Sequence, residues 1–324
     1  MKNTHFLIAA GFSGLFAISP ASAAIQIDTV LVGDTGNAND GTGYGGVSYN
    51  YRIGTHEVTN SQYTAFLNAK AATDTHSLYS SNMNSSTHGG IQQSGTSGSF
   101  TYSAKSGFEN KPVNFVSFWD AARFSNWLTN GQGSSDTETG MYNLGGVTNP
   151  TNSSITRQID FSSGQNGVAI ASRDEWYKAA YYDGSGAYYQ YPTQSNTEPN
   201  AIAPNSSDAN SVNTGFVAVG TVTDVGSYTL AESNYGTFDQ GGNVWEWNDN
   251  IVGTNERGMV GSSWVNQTKN TRSNNGLNSA VTAENSDLGF RVTSLAPIPE
   301  PSAYAAIIGC LGLGFAVMRR KGQG

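Results

Sequence analysis

Gly241-Gly242-Asn243-Val244-Trp245-Glu246-Trp247 is the stretch on which the reading of this 324-residue chain turns. Trp245 and Trp247 flank Glu246 and are expected to pack into a core, carrying the carboxylate inside with them. Gly241 and Gly242 let the backbone turn sharply, so that carbonyls can point inward. Asp239 stands seven residues before Glu246. Two carboxylates plus carbonyls form an oxygen-only donor set for a hard cation, and calcium favours six to eight such ligands at ~2.3–2.6 Å. The competing account is structural: Glu246 accepts backbone hydrogen bonds in a buried turn and holds no ion.

Outward from this stretch, three helices begin with the same device. Thr59 precedes Gln62 and the apolar positions Tyr63, Phe66 and Leu67; Ser117 precedes Asp120, Ala121, Phe124, Trp127 and Leu128; Ser172 precedes Glu175, Trp176, Ala179 and Ala180. In each, a hydroxyl caps orphan N–H groups and an acid or Gln three residues on bonds back. The i, i+3, i+4 spacing gives each helix one buried stripe. Asp174 and Glu175 are explained by such capping. Strand patterns are expected near 25–32, 47–53, 217–222, 259–260 and 290–292. Residues 80–106, 131–167 and 194–213 read as long polar loops, and such lengths point to functional or structured surface loops. No fixed-period repeat is present. The sum is one α+β domain with few helices, short strands and much irregular backbone.

Composition narrows the function. Charged residues make up only 12% of the chain, so its surface is built from Asn, Ser, Thr, Gln and Gly. A net charge of −8 argues against a nucleic-acid partner, which needs basic patches, and is compatible with divalent cations. There is one cysteine, Cys310, near the C-terminus. The body therefore has neither a disulfide nor thiol chemistry. Gly41-Thr42-Gly43-Tyr44-Gly45-Gly46 lacks a following helix pattern and reads as a surface loop, not a nucleotide cradle. The tyrosines at 177, 181, 182, 188, 189 and 191 suit either sugar stacking or core packing.

Both ends read as processing segments. Lys2, an apolar centre and Ala21-Ser22-Ala23 describe a secretory signal peptide over 1–23. At the other end, Pro299-Glu300-Pro301 precedes an apolar run over 302–318 and then Arg319-Arg320-Lys321. The run is slightly short of the ~20 residues that a full span prefers, with positive charges expected on the cytoplasmic side. This tail, 298–324, resembles the bacterial PEP-CTERM sorting signal. That resemblance implies an exosortase-type membrane protease as partner and a precursor that passes once through the inner membrane. It further implies a body, 24–297, delivered to the cell surface or extracellular matrix of a Gram-negative-type bacterium, where such sorting accompanies exopolysaccharide production.

The body carries a second resemblance. Ile53-Gly54-Thr55-His56-Glu57-Val58-Thr59-Asn60, Lys111-Pro112-Val113-Asn114-Phe115-Val116-Ser117, Glu175-Trp176, the stretch quoted first, Gly261-Ser262-Ser263-Trp264, Arg272 and Leu288-Gly289-Phe290-Arg291 follow one another in an order similar to that of the formylglycine-generating enzyme (sulfatase-modifying factor) family, over about residues 53–292. It implies a compact, loop-rich α+β fold related to the C-type lectin fold. It also implies a calcium site at Asp239, Gly242, Val244 and Glu246, and a second at Asn210, Ser211, Asp224 and Gly226. The family's oxidase binds copper through two cysteines, and the corresponding positions here are Asn266 and Thr271. Neither is the soft thiolate that Cu(I) requires. An iron-dependent branch needs clustered histidines, whereas His56, His76 and His88 are dispersed along the sequence. The expectation is an exported, non-catalytic, calcium-binding module for extracellular polysaccharide or a surface protein. The alternative is an oxidoreductase of the formylglycine-generating or non-haem-iron type, working through residues not recognised here.

Overall fold

In a computed structural model, residues 25–204 and 207–298 are described. The expected signal peptide and, apart from Ile298, the expected sorting tail with its apolar run lie outside them. Among the described residues no helix is long and apolar enough to cross a membrane.

The elements run in the order β1 (Thr29–Val32), β2 (Tyr51–Gly54), α1 (Asn60–Lys70), α2 (Asn82–Ser85), β3 (Ile91–Ser94), β4 (Thr101–Ala104), α3 (Phe118–Thr129), β5 (Val168–Ile170), α4 (Arg173–Tyr181), β6 (Asn200–Ala201), β7 (Ser211–Val212), β8 (Trp245–Gly253), β9 (Glu256–Val260), β10 (Leu277–Ala280), β11 (Leu288–Phe290) and β12 (Val292–Ser294). One sheet has the order β1-β2-β12-β5 and the other β10-β9-β8-β11. The first is antiparallel throughout, while β8 and β11 pair in parallel. Two short pairs, β3-β4 and β6-β7, complete the strands.

The three expected helices form, each with both halves of its capping box: Thr59 with Gln62, Ser117 with Asp120 and Ser172 with Glu175. Their apolar stripes meet. Phe66 of α1 packs edge-on against Phe124 of α3, with ring centroids 5.4 Å apart, and Phe124 packs likewise on Phe290 of β11. Around α4, Trp176, Tyr177 and Tyr181 join Val32, Tyr51 and Ile53 in a second core cluster.

Several expected elements shift. The 47–53 strand shortens to β2, because Val47 turns back to accept from the backbone N–H of Gly36. Residues 217–222 form no strand, and Val217 is 72% exposed; alternation alone did not supply a partner. Within the polar segment 80–106 lie α2 and the β3-β4 pair, anchored by the buried Met83, Ile91 and Tyr102. The longest strand, β8, starts inside the stretch that opened the reading.

The two ends of the body meet. Ile27 and Ile298 form an antiparallel bridge. The Gln132 side chain clamps Ile25, accepting from its N–H at 2.8 Å and donating to its carbonyl at 2.9 Å.

Candidate calcium and binding site

Gly242 sits at φ +90°, a conformation that glycine adopts freely, and a Cβ there would collide with the Asn213 carbonyl. This close approach lets the turn be stitched from both sides. The Gly242 N–H donates to the Gly261 carbonyl at 2.8 Å and the Asn243 N–H to the Asn213 carbonyl at 2.9 Å. Trp245 and Trp247 are buried as expected. Their indole N–H groups donate to Asn266 Oδ1 and to the Val116 carbonyl.

Glu246 is fully buried, but backbone groups are not what hold it. Arg291 grips it with two bonds, Nε to Oε2 at 2.7 Å and a terminal nitrogen to Oε1 at 2.8 Å. Trp176 Nε1 also donates to Oε2 at 2.7 Å. The remaining Arg291 donors reach the carbonyls of Gly54 and Phe238. Arg291 stands in the one-residue gap between β11 and β12, so the same chain segment that completes both sheets delivers the guanidinium inside.

Two more acids face this guanidinium. Glu57 is 2% exposed and Asp239 8%. The Glu57 Oε1 accepts from Asn243 Nδ2 at 3.0 Å, while its buried Oε2 has no hydrogen-bond partner. Asp239 Oδ2 accepts from the Gly226 N–H at 2.6 Å. Burial, reinforced by the neighbouring Asp239, pushes the Glu57 carboxyl well above the usual range, and burial raises Asp239 to about 6. Burial opposes the Arg291 charge, yet Glu246 outweighs that and holds it above its ordinary value. Three buried carboxyls thus share one guanidinium. Sequence reasoning left out Glu57 and Arg291 as site residues. Both lie in the motif stretches, Arg291 between Phe290 and Val292 and Glu57 before Val58, which was a sign that a buried charge there needed a partner.

The Gly226–Asp239 hydrogen bond joins the two expected calcium sets. Ser211 and Asp239 line one cavity of about 10 Å³, room for about one water molecule or a small ion. Other members of the second set are engaged elsewhere. Asn210 Oδ1 accepts from Thr193, its amide donates to the Thr197 and Glu198 carbonyls, and Asp224 faces Lys111 Nζ at 3.3 Å. Among the described residues no three His, Cys, Asp or Glu side chains converge as a metal-binding group. A calcium ion here would lean on Asp239 and on backbone oxygens such as those of Gly242 and Val244. Glu246 would add to it only by sharing its carboxylate with Arg291. The oxygen donors suit calcium in kind; the side-chain charge already paired to Arg291 sets the limit of the fit.

At the positions of the missing thiols, Asn266 accepts from Trp245 and from the Ser263 hydroxyl, while Thr271 is buried and donates to the Thr268 carbonyl. The three histidines go separate ways. His56 stacks on Phe238, His76 faces Glu138, and His88 packs against Trp264 and meets Thr221. Of the tyrosine group, Tyr177, Tyr181, Tyr182 and Tyr191 are buried, as the packing alternative expects.

Comparison with known proteins agrees with this architecture. A solved structure of CarF is 21% identical, covers 83% of this chain and 98% of its own, and has a TM-score of 0.53. Treponema denticola variable protein 1 is 15% identical, covers 84% of this chain and 96% of its own, and has a TM-score of 0.50. At these identities the likeness is one of fold alone. No curated protein matches. Few helices, short strands and a mixed α+β order fit the formylglycine-generating-enzyme and C-type-lectin-like fold. The family model for the sulfatase-modifying factor enzyme 1-like domain matches residues 39–295, and the chain belongs to that family.

Proposed function

We propose that the chain is an exported, non-catalytic member of its family: a calcium-dependent module that binds extracellular polysaccharide or a surface protein. The observation that carries the calcium reading is the buried excess of carboxyl groups: among the described residues, Glu57, Asp239 and Glu246 face one guanidinium, that of Arg291. Buried carboxylates are costly unless neutralised by a proton, a cationic side chain or a metal. A divalent ion beside Asp239, completed by backbone carbonyls, would neutralise the carboxyl groups that Arg291 does not. The non-catalytic reading is supported by Asn266 and Thr271 at the thiol positions and by the absence of any other cysteine before residue 310. Export and matrix location are supported by the two terminal sequence segments, as is the processing protease as partner.

The test is metal analysis of the purified protein, followed by thermal unfolding with calcium and with a calcium chelator. Near-stoichiometric calcium and a lower melting temperature after chelation support the proposal. Stoichiometric copper or iron, with unfolding indifferent to calcium, would overturn it.

A further inference from the structure

A cavity of about 280 Å³ opens between the first residue of α4 and the face formed by β8, β9 and β10. Its wall holds one charged side chain, Arg173, and no carboxylate, in a chain whose net charge is −8. Arg123, Arg157 and Arg291 all pair with acids, but among the described residues Arg173 makes no ion pair. A terminal nitrogen donates to the Asn275 carbonyl at 3.2 Å, while the buried Nε has no partner. The guanidinium lies 4.8 Å above the Tyr44 ring, which fixes its plane.

Asn248, on the same wall, is fully buried. Its Oδ1 accepts from the Asn250 N–H, and its Nδ2 has no partner. Glycines make room for both groups. A Cβ at Gly276 would stand 2.6 Å from an Arg173 nitrogen, and one at Gly258 would stand 2.6 Å from Asn248 Oδ1. Buried donors without acceptors are uncommon and costly, so two on one cavity wall call for acceptor oxygens from outside. The charge calls for an anion, and the planar fork of arginine matches a carboxylate. The rim adds the exposed Asn274 amide and the exposed apolar side chains of Val252 and Leu277, which suit hydroxyls and the C–H face of a ring. The volume falls just below the ~300–1,000 Å³ typical of drug-sized sites, the scale of a single sugar ring.

We propose that this cavity is a subsite for a carboxylate-bearing sugar, a uronic-acid unit of an acidic polysaccharide, with Arg173 on the carboxylate and Asn248 on an adjacent oxygen. This rests on the polymer-binding reading above and deepens it.

The test is isothermal titration of the purified protein with uronate oligosaccharides (galacturonate, glucuronate and mannuronate), their neutral counterparts and a sulfated counterpart. The expected result is binding of at least one uronate, with its neutral counterpart weaker by ~10-fold or more, the loss expected when a charge-assisted hydrogen bond is removed. Arg173→Gln is expected to give the same loss. So is Leu277→Asp, which places a like charge on the rim at a side chain already 46% exposed and therefore tolerant of the change. Equal binding of uronate and neutral sugars, unaffected by either variant, would overturn the subsite while leaving polymer binding intact. Arg173-dependent binding that favours the sulfated sugar would overturn the carboxylate assignment. No binding to any glycan would overturn the subsite and the polysaccharide reading together.

Discussion

Replacing Arg291 with Met tests the centre of the structure most directly. The side chain is fully buried and makes five hydrogen bonds, two to Glu246 and three to the carbonyls of Gly54, Thr55 and Phe238. Methionine keeps much of the volume and removes every donor. Breaking a buried ion pair by deleting one partner costs about 3–5 kcal/mol. Here the loss strands Glu246 and also removes the guanidinium that, among the described residues, faces Glu57 and Asp239, so the upper end applies. For a domain of this size the melting temperature should fall by roughly 5–10 °C. Calorimetric or circular-dichroism melts would measure it, with Arg272→Met, at an exposed position, as the control. The double variant Glu246→Leu/Arg291→Met should recover part of the loss, since no unpaired Glu246 charge remains. The reasoning fails if Arg291→Met melts within ~1 °C of the control, or if the double variant is worse than the sum of the singles.

Chelating calcium should lower the melting temperature, by the equivalent of about 2.7 kcal/mol if the ion was present at a hundred times its dissociation constant; Asp239→Asn should shrink that response, read from melts with and without chelator. Gly242→Ala should cost more than ~1 kcal/mol, from the positive φ and the Asn213 carbonyl in its path, measured by urea unfolding. Thr59→Ala should cost about 1 kcal/mol through loss of the α1 cap, with unchanged circular dichroism. Burial raises Asp120 to about 7, so between that value and the ordinary carboxylate range near pH 4 the folded state holds a proton that the unfolded state has lost. Stability should therefore rise as pH falls from about 7 towards 4. Asp120→Asn should flatten that slope in urea melts, though not abolish it, because Glu57 and Asp239 act in the same direction.

Local chemistry was what the sequence made legible. The three capping boxes formed as written, because a hydroxyl and an acid or Gln three residues on can satisfy the orphan backbone groups without help from the rest of the chain. Burial of Trp245 and Trp247 also followed from residue type. Partners distant in sequence were not legible. The structural account of Glu246 had backbone groups holding it, whereas its partner is Arg291, 45 residues on. Nothing in the spacing of either motif states that pairing. The strand expected at 217–222 failed for a related reason, since an alternating pattern carries no information about which edge is free to receive it. The cavity at Arg173 was invisible for a third reason. Arg173 stands one residue after the Ser172 cap in a helix start, and its place on a cavity wall without a carboxylate emerges only when β8, β9 and β10 close around it.

The placement of β12 has a consequence for timing. It lies between β2 and β5 in the sheet, and Ile298 beyond it bridges back to Ile27. β2 pairs with β1 from the start, but its second edge has no neighbour until some 240 residues later, and β5 has none at all until Val292–Ser294 arrives. A growing chain of this design leaves that edge of β2 and the whole of β5 unpaired until residues 292–294 have been made. Such long-range closure is slow, so the nascent body depends on being shielded from its own kind until the final segment docks.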